Sequence, residues 1–491
     1  MKKFLIFILT FVSIFTFSGC KKKEEIIIPS ENLTNYEIDL SLDVNTKSVE
    51  ATQAIDYYNS TGDVLKNLKL HLYVQNFKKG ATETVVPSTK LNQAYPNGMD
   101  YAEFNIKEIS CNNTNLQFEY ENEFDDILSV NLNNSLLPNN RVSFEISYNF
   151  TIPNCCHRFG YGKKTINLAN FYPVMCVYEN NRFNTNGYHP NGDPFYSDIA
   201  NYSVSISTDS TYIVAGSGTK SEKKLNEKIT QTTFQANGIR DFALVLSDKF
   251  NTIQNVVKNT TINYYYFDDN QPEKSLQAGV DAIKTFSEKF GTYPYKTFSI
   301  VKTDFVHGGM EYPTLIMISS DIENCDDYLN VIVHETAHQW WYGIVGNDQF
   351  TYPWLDEALT EYSTVLFYDC NPNYSLSHSE MVASCKENYT LFVNVYEEVL
   401  GSLDTSMRAV NQYNTEPEYT YCTYVKGVLM FDSLYQLIGE TKFYNSLKTY
   451  FNENKFNFAT PNSLINAFNT TCKQDYTNFF NSWINGKVVV K

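Results

Sequence analysis

Between Asn35 and Phe250 apolar residues recur at every second position, and turn residues interrupt them. Ile38, Leu40, Leu42 and Val44 form one such run, and Leu68, Leu70 and Leu72 a second. Val142, Phe144, Ile146, Tyr148, Phe150 and Ile152 form a third, and Tyr202, Val204 and Ile206 a fourth. Side chains alternate faces along an extended chain, so each run gives a strand with one apolar face, while the Asn, Gly and Ser between runs supply turns. The pattern predicts antiparallel sheets with one buried face. Near Asn270 the period changes. Leu276, Val280, Ile283, Phe286 and Phe290 lie three or four apart behind Pro272, which a first helical turn tolerates, and Gly291 follows where a C-terminal cap is expected. Strands are expected next at 297–302 and 314–318, with a Gly308-Gly309 loop between them. Helices are expected over 327–342 and 354–368, and helical spacing resumes from Tyr424. The chain therefore reads as multi-domain, with an all-β domain over 31–255 and an α+β domain over 256–491.

The 491 residues, 43% of them hydrophobic, leave room for domains of ordinary size. Lys plus Arg number 38 against 55 Asp plus Glu, a formal charge of -17, opposite in sign to the basic surface that binds phosphates, so nucleic acid is excluded as a partner. Apart from Cys20, the nine cysteines have no repeated spacing, and the adjacent Cys155 and Cys156 form no metal clip. Free thiols are expected.

The N-terminus carries Met1, Lys2 and Lys3 before an apolar stretch from Phe4 to Phe17, which is shorter than the ~20 residues of a spanning helix. With Ser18 and Gly19 before Cys20 it resembles a bacterial lipoprotein signal, though Phe17 stands where Leu is usual. The resemblance implies removal of residues 1–19, a lipid on Cys20 that attaches the protein to a membrane outside the cytoplasm, and a charged tether over 20–30. Plain secretion is the alternative.

Candidate chemistry lies in the second half. His334-Glu335-Thr336-Ala337-His338 falls within a predicted helix, where positions four apart share a face, so both imidazoles can meet one metal ion with Glu335 close beside it. Leu329, Ile332, Val333, Trp340 and Trp341 make this helix largely apolar. Unpaired His and Glu in such a helix would cost several kcal/mol of desolvation, which a metal offsets. Catalytic zinc takes a third protein ligand and keeps an open position, and Glu357 on the following helix is placed to supply it. One zinc ion is expected.

At these residues the sequence resembles the aminopeptidase N family of zinc metallopeptidases, which includes leukotriene hydrolase. His334-Glu335-x-x-His338, eighteen intervening residues and Glu357 match its zinc pattern. Trp354-Leu355-Asp356-Glu357 is similar to its Trp-Leu-Asn-Glu block, with Ala358 in place of the usual Gly. Gly308-Gly309-Met310-Glu311-Tyr312 is similar to its Gly-Ala-Met-Glu-Asn motif, whose Glu binds the substrate's free amine. That role falls by resemblance to Glu311, with Gly308, Gly309 and Met310 as companion substrate-binding residues; Tyr312 in place of Asn is expected to alter this subsite. Tyr424-Val425-Lys426-Gly427 resembles the family's Tyr-x-Lys-Gly, whose Tyr polarises the scissile carbonyl, with Tyr419 and Tyr421 as nearby competitors. Glu361 reads either as a residue that orients a zinc-bound histidine or as a surface acid. The fold implied is a saddle-like antiparallel β domain followed by a thermolysin-like α+β zinc domain, without the helical roof of larger members. The family's sheet-domain Gln or Glu that assists amine binding has no assignable counterpart in this sequence.

The implied activity is zinc-dependent removal of N-terminal residues from peptides with a free N-terminus, with Glu335 as general base and Tyr424 assisting at the carbonyl. The alternatives are a zinc endopeptidase with an open cleft, whose amine selection is weakened at Tyr312, and an inactive surface-binding lipoprotein.

Overall fold

The structure, a computed structural model, describes residues 26–81, 84–121, 124–401 and 403–486. The signal segment, Cys20 and the start of the tether lie outside the described residues.

The alternating runs form strands as their period requires. In Thr34–Asp43 the side chains of Tyr36, Ile38, Leu40 and Leu42 are buried while the intervening polar residues face out. This strand lies inside an eight-stranded sheet, between Ser48–Tyr58 on one side and Ala200–Asp209 on the other. Two four-stranded sheets built from residues between Leu65 and Ser247 pack beside it. Among the described strands of this half, one pairing departs from the antiparallel expectation: Thr34–Asp43 runs parallel to Ala200–Asp209, with Tyr36 opposite Tyr202. A parallel neighbour needs a long crossover, and here residues 44–199 supply it, including further strands of the same sheet.

The second half begins with the hairpin of Asn251–Val257 and Thr260–Tyr266, which joins Thr297–Thr303, Leu315–Ser319 and Gly309–Met310 in a five-stranded sheet. The boundary expected at 255/256 falls inside its first strand. The Pro272–Lys289 helix buries Leu276, Val280, Ile283 and Phe286. Gly291 follows it: its N–H donates to the Phe286 carbonyl at 3.4 Å at the helix end, a Cβ there would overlap the Phe451 ring, and its carbonyl accepts the Trp340 indole N–H at 2.8 Å.

The Cys325–Ala337 helix starts at Asn324, whose side chain accepts the backbone N–H groups of Asp326 and Asp327. It ends five residues earlier than its apolar pattern predicts. Trp340 and Trp341 are buried, but in a tight turn, with the Trp341 indole donating to Ser363 Oγ at 2.9 Å. The Trp354–Cys370 helix packs against both Cys325–Ala337 and Lys426–Ile438. Among the described residues all nine cysteines are free thiols, and no helix is long and apolar enough to cross a membrane.

Candidate metal centre and active site

His334 and His338 lie one turn apart, and both present Nε2 to the same oxygen, Glu357 Oε2, at 3.5 and 3.2 Å. The first turn of the Trp354–Cys370 helix carries Glu357, which is 4% exposed. The ligand atoms of the three residues lie within 4.8 Å of one another. Each imidazole is fixed from behind: His334 Nδ1 lies 2.7 Å from Glu361 Oε2, and His338 Nδ1 lies 3.0 Å from the Trp341 carbonyl. A ring that donates through Nδ1 keeps Nε2 as a free electron pair, the state a metal needs. Glu361 thus holds the His334 ring from behind.

Burial opposes charge on both imidazoles, yet the surrounding carboxylates together raise their pKa values: Glu357 and Glu361 at His334, Glu357 and Glu311 at His338. Burial would lift Glu357 too, but the imidazoles hold it below the usual carboxylate range. The arrangement calls for positive charge at the point where three donors converge. Glu335, 5% exposed, lies beside them with its carboxyl pKa raised by burial, and its Oε2 has no hydrogen-bond partner among the described residues. The donor set fits zinc, with three protein ligands and a fourth position left open.

These residues line a cavity of about 410 Å³ between the two halves of the chain. Gly308 and Gly309 line it, and Gly309 is required because a Cβ there would overlap the Glu335 carboxylate. Glu311 is 3% exposed, burial raises its pKa, and it accepts a hydrogen bond from Gln349 Nε2 at 3.0 Å. Met310 does not join this lining; it pairs with Met317 within the sheet and is 1% exposed. Tyr312 also stands apart. Its hydroxyl, buried, donates to Asn170 Oδ1 at 2.8 Å, and Asn170 Nδ2 donates to Asp241 at 2.7 Å. A buried phenol needs a partner, and the sheet domain provides it, so this departure from the family motif lies away from the cavity.

Tyr424 lines the cavity with its ring stacked on His334, centroids 6.2 Å apart at 24°. It occupies a wide turn, Tyr421–Val425, just before the Lys426–Ile438 helix rather than the head of that helix. Tyr421 points elsewhere and stacks on Phe392 at 4.6 Å, whereas Tyr419 sits beside Tyr424, edge-on at 5.7 Å.

The sheet domain contributes two charged cavity residues that the sequence did not reveal. Asp193 lies with its carboxylate within 4.8 Å of those of Glu311 and Glu357, and Arg158 donates to Asp193 Oδ1 at 2.7 Å. Asp193 follows Gly192, whose φ of +67° belongs to the region that glycine tolerates. The only signal in the sequence is a turn-rich His189-Pro190-Asn191-Gly192-Asp193-Pro194 stretch, which is silent about what the turn faces. A second cavity, about 640 Å³ and lined by Tyr178, Asp198, Asp348 and Phe458 among others, holds none of the metal donors.

Three protein donors around one open position, with Glu335 alongside, suit a catalytic rather than a structural metal. Residues 274–483 match the model of the peptidase family M1 domain. The M1 zinc metallopeptidase of Deinococcus radiodurans superposes with a TM-score of 0.66, covering 94% of this chain and 96% of that one at 15% identity. A variant of it bound to a Tyr-Ser-Ala substrate superposes at 0.64 with 14% identity, covering 94% of this chain and 96% of that one. Aminopeptidase B of Rattus norvegicus is 28% identical over 189 residues, 35% of this chain and 27% of that protein. Aminopeptidase N of Streptomyces lividans is 23% identical over 216 residues, 40% of this chain and 24% of that protein. The chain spans about a quarter of the length of these curated relatives.

Proposed function

We propose that the protein is a zinc aminopeptidase that removes N-terminal residues from peptides. The observation that carries this reading is the distance between two kinds of acid: Glu311 and Asp193, facing each other across the domain junction, lie within 4.8 Å of the metal ligand Glu357. A peptide's terminal ammonium bound between Glu311 and Asp193 leaves its first peptide bond beside the metal donors. Glu311 accepts from the neutral Gln349 amide and Asp193 from Arg158, so both acids are held at the cavity wall where that ammonium would sit. A blocked or internal peptide bond brings no cation to them and leaves buried acids uncompensated.

One zinc ion, held by His334, His338 and Glu357, supplies Lewis acidity that acidifies water and polarises a carbonyl. The carboxylate of Glu335, with Oε2 free of partners among the described residues, takes the proton of the attacking water and returns it to the leaving nitrogen. The Tyr424 hydroxyl donates to the carbonyl oxygen as negative charge grows there. Glu361 and the Trp341 carbonyl keep both imidazoles in the ligating tautomer throughout. From the signal-like sequence ending at Cys20 we further propose that the protein lies outside the cytoplasm, held to a membrane by lipid on Cys20.

Aminoacyl chromogenic substrates test the activity. Wild-type protein is expected to hydrolyse free-amine substrates in preference to N-acetylated ones and to lose activity on chelation. Glu335→Gln is expected to lower kcat by roughly 10²- to 10⁴-fold with zinc content unchanged. Equal cleavage of blocked and free substrates would favour an endopeptidase, and absence of bound zinc an inactive binding protein. Metabolic labelling with a fatty acid, lost in Cys20→Ser, tests the anchor.

A further inference from the structure

Glu311 reaches its place through two glutamines. Gln339, the residue after His338, grips the backbone around it: its Oε1 accepts the Thr314 N–H at 2.7 Å and its Nε2 donates to the Tyr312 carbonyl at 3.1 Å. Gln349 grips the side chain. Its Nε2 donates one hydrogen to Glu311 Oε1 at 3.0 Å and the other to Asp356 Oδ2 at 2.7 Å. Asp356 in turn accepts from Asn347 Nδ2 at 3.0 Å. Gln349, Asp356 and Glu311 are all buried, at 1%, 1% and 3% exposure.

This arrangement has one stable polarity. Turning the Gln349 amide over would bring its oxygen against two carboxylate oxygens, so Asp356 locks the orientation in which Gln349 donates to Glu311. A cation in the same place would also hold Glu311, but by neutralising it. A neutral amide fixes the carboxyl group in place and adds no opposing charge to it. Among the described residues Gln349 Nε2 is the donor that the Glu311 side chain has.

We propose that Gln349, locked by Asp356, is the positioning residue that gives the site its selectivity for a free amine. The proposal rests on the aminopeptidase reading and extends it: discrimination between free and blocked N-termini depends on an uncharged donor behind Glu311 and not on Glu311 alone. Gln349 touches neither substrate nor metal; it acts through Glu311.

The test compares wild type, Gln349→Leu and Asp356→Asn, each with zinc content measured. Two readouts are used: kcat and KM on matched free-amine and des-amino substrates, and calorimetric binding of leucinamide against its des-amino analogue. In Gln349→Leu the KM for the free-amine substrate and the Kd for leucinamide are expected to rise about tenfold, the scale of one hydrogen bond to a charged group, while the des-amino values move less than twofold. Asp356→Asn is expected to move the same two values in the same direction by less. Retained selectivity in Gln349→Leu overturns the proposal, as does an equal loss on free-amine and des-amino ligands, the mark of a merely structural role. A wild-type zinc protein that prefers neither ligand overturns the aminopeptidase reading and this proposal together, whereas selectivity that Gln349→Leu leaves intact overturns this proposal alone.

Discussion

Arg158 Nη1 donates to Asp193 Oδ1 at 2.7 Å, and Arg158 also stacks over Phe195 at 4.8 Å. The pair holds a sheet-domain carboxylate at the wall of a cavity whose metal donors all come from the other domain. Asp193→Asn keeps the shape and removes the charge. Steady-state kinetics on aminoacyl substrates are expected to show KM raised by about tenfold, with kcat changed less, in protein of matched zinc content. An unchanged KM would remove Asp193 from the amine site.

Tyr424 stacks on His334 and also faces the cavity, so its ring and its hydroxyl have separable roles. Tyr424→Phe keeps the ring. The expected outcome is a fall in kcat of about 10²- to 10³-fold with little change in KM, read from full saturation curves. Tyr419→Phe, measured in parallel, is expected to affect kcat much less; a reversed order would transfer the role to Tyr419.

Gly427 packs directly on Ala358, and a Cβ at 427 would overlap that of Ala358 and lie 2.9 Å from its Cα. The contact joins the helix that carries Glu357 to the helix that follows Tyr424. Gly427→Ala is expected to lower stability by about 1–3 kcal/mol through overpacking. Ala358→Gly in the same chain should restore only part of this, because the 358 backbone remains close and glycine inside a helix itself costs about 1 kcal/mol. Denaturant unfolding of the single and double variants gives the comparison.

His71 is buried and stacks on Tyr73 at 4.9 Å, and burial pushes its pKa down to about 4. Folding therefore excludes a proton that the unfolded chain accepts below about pH 6.5. Above that pH both states are neutral and the group adds no pH dependence; as pH falls from 6.5 toward 4, its contribution turns against the fold. Replacing it by Gln removes this dependence. The destabilisation caused by His71→Gln is expected to shrink by about 2–3 kcal/mol between pH 7 and 4.5 in urea titrations. A constant difference across that range would contradict a buried neutral imidazole.

The parts of the fold that one period determines were legible in the sequence. Strand alternation marked the buried faces of Thr34–Asp43 and Arg141–Thr151, and spacing placed His334, His338 and Glu357 at one point. Sequence reading failed where tertiary contacts override a local pattern. The helix ends at Ala337 because Trp340 and Trp341 are drawn into the core by indole bonds to Gly291 and Ser363. Asp193, Arg158 and Gln349 carry no local signal, since each becomes meaningful only when distant segments meet. Tyr312 misled for the same reason: its motif position suggested the cavity, but its hydroxyl is claimed by Asn170 on the other domain.

The parallel pairing of Thr34–Asp43 with Ala200–Asp209 joins positions 166 residues apart, as between Asn35 and Asn201. A chain made from its N-terminus at a few residues per second must hold that first strand half-paired for many seconds before its neighbour exists. During that interval an apolar face and a bare strand edge stand open to other chains. The first strand thus sets a timing problem for biosynthesis, one that favours keeping the nascent chain unfolded, by chaperone or by immediate transport, until the residues beyond 200 have emerged.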